Sequence, residues 1–480
     1  MAHRSASGAE ALGDLEAYLA RAARRRLSLS EVESESVRRG REVVRLGLQA
    51  HLDARGVGDV GPALVLGGPD GPVRLGYKRL HSRRIVSLAG ELRVTRMGYG
   101  APGQASIHPL DAELALPGRS FSYGVQRHLV RSAVCGPFDE AVRAVAEMTG
   151  VKIPKRSAEQ MVIDAAVDVD AFYQARAGCS LLTKGDLVVG AIDCKGIPMV
   201  KPEPTRKVAR RKKGEKPQKK KMATVAAVFA AAPRRRSPEA VVASLFADDP
   251  APSRKVRQRP KDKRVWASLL AGKDAFISDV GAEMTRRDPR HRHTWVIVTD
   301  GERALQRRVI NNFTDITLVL DLLHVTEKLW KVGNALHPEG SPEATSFVRE
   351  RAERVLRGEV SQVVKGLRLI VTKRRLRGAK AKTITDVANY LYANRDRMRY
   401  HEYLKRGWPI ASGAVEGACK CLVRDRLERS GMRWTPNMAE AMLKLRAVHL
   451  SDDWDTYWKW HVQQDQLRPY RKDTWRVVRK

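Results

Sequence analysis

Four apolar runs constrain this chain more than any other feature: DLVVGAIDC from Asp186, KMATVAAVFAA from Lys221, TWVIVTDG from Thr294 and DITLVLDLLHVTEKLW from Asp315. A strand with one wet face alternates polar and apolar residues, whereas a run without alternation is buried on both faces. Each run therefore predicts a covered sheet strand, and ERALQRRVINNF after the third supplies a covering helix. The fold class is α/β. Residues 186–332 read as the first part of this core, and residues 333–405 then become purely helical and basic. That pattern predicts an all-helical insertion in the α/β domain.

The residues before the core are of mixed type. Two helices are expected between Gly13 and about Ala54, split near Ser28–Ser30, within a helical region 1–58. Residues 59–130 form a small β-containing region, with a hairpin around Gly90 and a break at Gly98, Gly100 and Gly103. Within 131–180, PFDEAVRAVAEMTGVKIPKRSAEQMVIDAA predicts two short helices joined at Gly150. Ala141, Val142, Val145, Ala146, Met161, Val162 and Ala165 would share one core, and Ser157 with Gln160 would form a capping box. The outline suits a plain helical hairpin and also a helix-turn-helix unit, whose second helix would offer Arg156, Glu159 and Gln160 to a major groove. The tail, 451–480, is aromatic and basic; Trp454 and Trp458 at i,i+4 read as a packing stripe.

Charge narrows the partner. Lys and Arg number 89 against 54 Asp and Glu, a net charge of +35. An excess of that size calls for a polyanion, and nucleic acid gains affinity by releasing counterions. The segment KPEPTRKVARRKKGEKPQKKK, residues 201–221, has eleven cations, two acids and three prolines, so it reads as a charged loop that grips phosphate without reading sequence. Arg210, Arg211, Lys212, Lys213, Lys219, Lys220 and Lys221 are its expected DNA contacts. The five cysteines form no CxxC pair and suit a reducing cytosol; no signal-like or membrane-spanning run is evident, so a cytoplasmic, nucleoid-associated protein is expected.

Motifs for zincins, P-loops, dinucleotide binding and serine-nucleophile elbows are absent from the sequence. What remains is acids beside buried strands. Asp193 closes the run LVVGAI and Asp300 the run WVIVT, each with a glycine close behind, Gly196 and Gly301, where the strand is expected to leave the sheet. If those strands are neighbours, the two acids lie about 4.8 Å apart and repel unless a cation lies between them. A pair of Mg²⁺ ions, roughly 3.5–4 Å apart, suits such carboxylates. The plainer alternative makes each Asp a cap, Asp300 being placed to start the helix after it. A third acid, Glu416, stands in SGAVEGACKCLVRDRLERSGMRW near the start of a helix rich in Gly and Ala. Small residues there would let the helix approach a sheet edge. Lys420 at i+4 is its local partner, and Arg424 and Arg426 lie where a DNA backbone would pass.

Taken in order, AIDCKGIPMV, VIVTDGERAL, DLLHVTEKLW and SGAVEGACKCLVRDRLERSGMRW resemble the DDE transposases of bacterial insertion sequences. The group most similar is ISKra, with the Mutator-like transposases more distant, and the likeness spans roughly residues 105–450. It implies an RNase H-like catalytic core, a mixed five-stranded sheet with flanking helices, interrupted by the helical insertion. Residues 406–450 would be the second part of that core and carry the Glu. Asp193, Asp300 and Glu416 would be the catalytic, metal-binding triad, holding two Mg²⁺ or Mn²⁺ ions. Asp321 and His324 match a DxxH element at the entry to the insertion, and Arg433 and Trp434 lie in a stretch characteristic of the group. YGAPGQASIHPLD lacks the cysteines found there in relatives, so no zinc-binding element is expected. The activity implied is hydrolysis at transposon ends followed by strand transfer, on double-stranded DNA of terminal inverted repeats and target. A homodimer or larger assembly would join two ends. A DNA-binding protein descended from such an enzyme without catalysis, and an RNase H-like nuclease without strand transfer, are the alternatives.

Overall fold

The structure is a computed structural model describing residues 7–67, 71–176, 182–200, 220–246, 260–468 and 475–478. It divides into two compact units, residues 1–174 with 453–480, and residues 175–452.

The first unit opens with α1 (Gly8–Arg24) and α2 (Leu29–Ala54). Ser7 and Ser28 each close a capping box with the glutamate three residues on, satisfying amides that have no partner inside the helix. Strands β1 (Leu64–Leu66) and β2 (Val73–Leu75) precede the long hairpin of β3 (Tyr77–Ser87) and β4 (Gly90–Gly100). Gly98 and Gly100 lie inside β4 rather than breaking it. A Cβ at Gly98 would run into His81 and His108, so the glycine there serves close packing. Helices α3 (Pro109–Glu113), α4 (Tyr123–Cys135), α5 (Phe138–Thr149), α6 (Lys155–Ala166) and α7 (Val169–Ala175) follow. Gly150 ends α5 in the left-handed conformation, φ 72°, and Ala141, Val145, Met161, Val162 and Ala165 are buried. The expected capping box does not form. Pro154 occupies the N-cap, so Ser157 lies within the first turn, and Gln160 Nε2 instead donates to Asp164 Oδ1 at 3.0 Å.

The second unit is built on one five-stranded sheet of order β7-β6-β5-β8-β9. Its strands are β5 (Leu187–Pro198), β6 (Lys220–Ala231), β7 (Lys261–Ser268), β8 (Thr294–Thr299) and β9 (Thr317–Leu320). β6 runs antiparallel to both of its neighbours, β5 and β7, whereas β5, β8 and β9 run parallel. The sheet is therefore mixed, and the four apolar runs form β5, β6, β8 and β9. Lys220 and Lys221 belong to β6, which shortens the expected charged loop; Arg210, Arg211, Lys212, Lys213 and Lys219 lie outside the described residues.

Helix α8 (Pro238–Leu245) separates β6 from β7, α9 (Lys273–Arg287) follows β7, and α10 (Arg303–Asn312) joins β8 to β9. Then come α11 (Leu322–Leu336), α12 (Pro342–Leu356), α13 (Val360–Lys373), α14 (Gly378–Asn394) and α15 (Tyr400–Arg406), with no strand among them. Helix α16 (Gly413–Ala418) runs into a π-helical turn, Cys419–Arg424, and α17 (Asp425–Leu427) and α18 (Pro436–Leu450) close the unit. The chain then returns to the first unit through α19 (Trp454–Leu467) and β10 (Trp475–Val477), which pairs with β1. Trp454 and Trp458 stack on each other, both buried, and the Tyr457 hydroxyl donates to the Ala165 carbonyl. That is core packing. No helix among the described residues is long and apolar enough to cross a membrane.

Candidate functional site

Register places the first two acids together. The parallel ladder of β5 and β8 ends at Ile192↔Thr299, so Asp193 and Asp300 are the next residues of neighbouring strands. Asp193 does not close its strand as expected. β5 continues to Pro198 because β6 pairs with it throughout, and Gly196 lies opposite Met222 inside that ladder. Nor does Asp300 start α10. Glu302 holds the N-cap, and Asp300 Oδ1 accepts the Glu302 amide at 3.0 Å, bending the chain off the sheet.

The Asp193 carboxylate is held from both sides. Oδ1 accepts from the Cys194 amide at 2.6 Å, and Oδ2 from the Cys419 thiol at 3.3 Å. Cys419 opens the π-helical turn, three residues after Glu416, so one short stretch presents both an acid and a donor to its neighbour. π-Helical turns recur where a helix must re-aim side chains.

Asp321 organises the other side. It caps α11 through the Leu323 amide at 2.9 Å, and its Oδ2 accepts the Ser412 hydroxyl. Ser412 is the N-cap residue of α16, so this buried contact ties the helix of Glu416 to the end of β9. His324 Nδ1 lies 3.3 Å from Asp321 Oδ2. One ligand atom from each of Asp321, His324 and Glu416 fits within 4.8 Å of the others. Asp193 and Asp300 are not part of that tight group, but their charges act on it. Burial raises the Glu416 pKa above the ordinary carboxyl value, and the negative charges of Asp321 and Asp193 raise it further against His324. Burial likewise raises Asp300, with Asp193 adding to it and the Glu302 amide opposing. His324 moves up to about 9, mainly through its bond to Asp321, so it is a cation at neutral pH.

Acids therefore outnumber cations here. The donor set of four carboxylates and one imidazole suits a hard divalent ion, with Mn²⁺ the better match for the imidazole. The ligands by position would be Asp321, His324 and Glu416, with Asp193 and Asp300 beside them.

The remaining sequence candidates separate by burial. Lys420, Arg424 and Arg433 are exposed, and among the described residues Lys420 makes no ion pair with Glu416. Arg426 is fully buried with its guanidinium over the Trp434 ring, 4.9 Å from the centroid, so it packs the core and does not face DNA. Trp434 is buried too. Its amide donates to Pro198 at 3.1 Å and its carbonyl accepts from Val200 at 2.9 Å, extending the sheet beside the end of β5. Lys220 is paired with Glu428 at 2.6 Å, Lys221 is exposed in β6, and Arg156 is exposed on α6 in the other unit. Ala414 packs against the core of β5 and β6 and Ala418 is buried, as a close approach of the helix requires, whereas Gly413 and Gly417 face open space. They line, with Ala414, Ala418, Cys421 and Val265, a cleft of about 350 Å³. Gln306, Tyr390 and Asn394 are site neighbours that sequence reasoning passed over. None carries a periodic or motif signal.

No known family matches this chain, and neither does any curated protein. A solved structure similar to it is the Drosophila P element transposase strand transfer complex, at 10% identity over 72% of this chain and 82% of that one, with a TM-score of 0.25. A score that low establishes no shared fold.

Proposed function

We propose that the chain is a DNA transposase of the DDE type, with the five-stranded sheet as an RNase H-like core and residues 333–405 as its helical insertion. Asp193, Asp300 and Glu416 would be its catalytic acids. The observation that carries this reading is the convergence of five ionisable groups from β5, the β8 end, the start of α11 and α16, with carboxylates in excess. A divalent ion held by these residues would supply positive charge to the phosphodiester under attack.

The chain's own groups do the rest. Asp321 fixes His324 and, through Ser412, the helix of Glu416. His324, its Nδ1 turned to Asp321, would offer its other ring nitrogen to the ion; with no ion bound it is the cation that tempers the carboxylates. Cys419 keeps the Asp193 carboxylate turned toward the site. Lys420, Arg424 and Arg433 would hold the backbone of the DNA beyond Glu416, and Arg156 with Gln160 would serve a helix-turn-helix unit. Two element ends require at least two copies of the chain, and its place of work would be the nucleoid.

The test is incubation of the protein with labelled element-end DNA and Mg²⁺ or Mn²⁺. Cleavage and joining should both fall by about 10²-fold or more in Asp193→Asn, Asp300→Asn and Glu416→Gln, with DNA binding retained. Cleavage without joining would identify a nuclease. Binding without cleavage, indifferent to the three substitutions, would identify a regulator descended from such an enzyme.

A further inference from the structure

Asp300 is held by more than its own turn. The Gln306 side chain, only 1% exposed, donates through Nε2 to the Asp300 carbonyl at 3.0 Å and to Asn394 Oδ1 at 3.1 Å. Asn394, 2% exposed and the last residue of α14, donates in turn to the Tyr390 carbonyl at 2.9 Å. One turn earlier on that helix, the Tyr390 ring presses on Gly301, where any Cβ would collide with it. The Lys328 ammonium of α11 sits 5.0 Å from the centroid of the same ring.

Polar side chains buried this deeply are costly unless satisfied, and these are satisfied by one another and by the backbone that carries Asp300. Mere stability needs no such arrangement, since apolar residues of similar shape fill a core equally well. The loop Asp300–Glu302 is thus clamped between an amide relay and an aromatic ring, both reaching back to α14, some ninety residues later in the chain.

We infer that Gln306, Asn394 and Tyr390 are positioning residues through which the helical segment α11–α14 sets the carboxylate of Asp300. This rests on the transposase reading, in which Asp300 bears on a divalent ion. Residues behind the ligands of a metal fix orientation, and their loss weakens metal binding by about 10–100-fold. The clamp would also make Asp300 responsive to anything that binds α11–α14. DNA lying on that basic segment would bear on the acid through two side chains and a ring.

The experiment uses the full chain and Mn²⁺ alone, with binding followed by calorimetry and backbone exchange followed over residues 299–305. Gln306→Met, Asn394→Leu and Tyr390→Ala should each weaken Mn²⁺ binding by roughly tenfold and speed exchange in that loop. Tyr390→Phe keeps the ring on Gly301 and should behave as wild type. If Gln306→Met fails to fold, Tyr390→Ala carries the test, because Tyr390 is only partly buried. Folded variants that melt lower yet bind Mn²⁺ as wild type does would reduce the relay to a structural feature and overturn the inference. Wild-type protein that binds no Mn²⁺ sensitive to Asp300→Asn would sink the functional reading and the relay with it.

Discussion

Glu283 and Glu416 are carboxylates of the same unit, and their surroundings have opposite character. Glu283, on α9, is 2% exposed and meets Arg264, Arg286 and Arg287, the last at 2.8 Å. Burial alone would raise its pKa, but the guanidinium groups of Arg264, Arg287 and Arg286 hold it below the ordinary value. Glu416 is less buried, yet it faces Asp321 and Asp193 and shifts the other way. A carboxylate that stabilises a fold is matched by cations from its own chain. A cluster that keeps an excess of negative charge is short of a cation, and that shortage is what supports the proposed function.

The contrast breaks if substitution moves both carboxylates alike. The largest effect is expected at Glu283: Glu283→Gln leaves three guanidinium groups facing one another and should cost about 3–5 kcal/mol in urea unfolding. An intermediate effect is expected at His324. Its folded pKa is raised from 6.5 to about 9, so its ion pair stabilises fully below about pH 6.5 and is lost as pH rises through about 9. His324→Gln should remove roughly 1 kcal/mol of stability at pH 6, discounted for solvent screening, and nothing at pH 10, read from melting curves across that range. The smallest effect has the opposite sign. Because the Glu416 pKa is raised from 4.5, ionisation works against the fold as pH rises through the folded value. Glu416→Gln should therefore raise the melting temperature at pH 7 by about 2 °C after screening, with the gain vanishing below about pH 4. Mn²⁺ should reverse the order, stabilising wild type above the variant.

Much of this was legible in the chain itself, and the reasons for the failures are physical. The apolar runs yield strands, the fourth only in its first part, because short stretches rich in Val, Ile and Leu with no polar alternation suit a sheet covered on both faces. β7 escaped notice because it is an edge strand whose first half, KDKR, carries the charge that edges need to resist pairing. Asp193 and Asp300 were readable as a pair, but not that β5 runs on past β8. Strand length against one neighbour says nothing of length against the other. Asp321 and His324 were visible only through resemblance, although an Asp and a His three apart at a helix start share one face. Arg426 was misread as a DNA contact, since a sequence cannot tell an exposed cation from one laid over a buried Trp434 ring. The Gln306–Asn394 bond joins residues 88 apart, and no local pattern announces a tertiary hydrogen bond.

The order of the elements along the chain has a consequence for synthesis. All five strands of the central sheet are complete at Leu320, whereas α16 begins only at Gly413. Translation at about 5–20 residues per second puts roughly 5 to 20 seconds between those points. During that interval the growing chain has Asp193, Asp300, Asp321 and His324 but no Glu416 and no Ser412 to draw its helix onto Asp321. The sheet can settle before its acid excess is fully assembled, so the five groups come together only after the helices between β9 and α16 have been made.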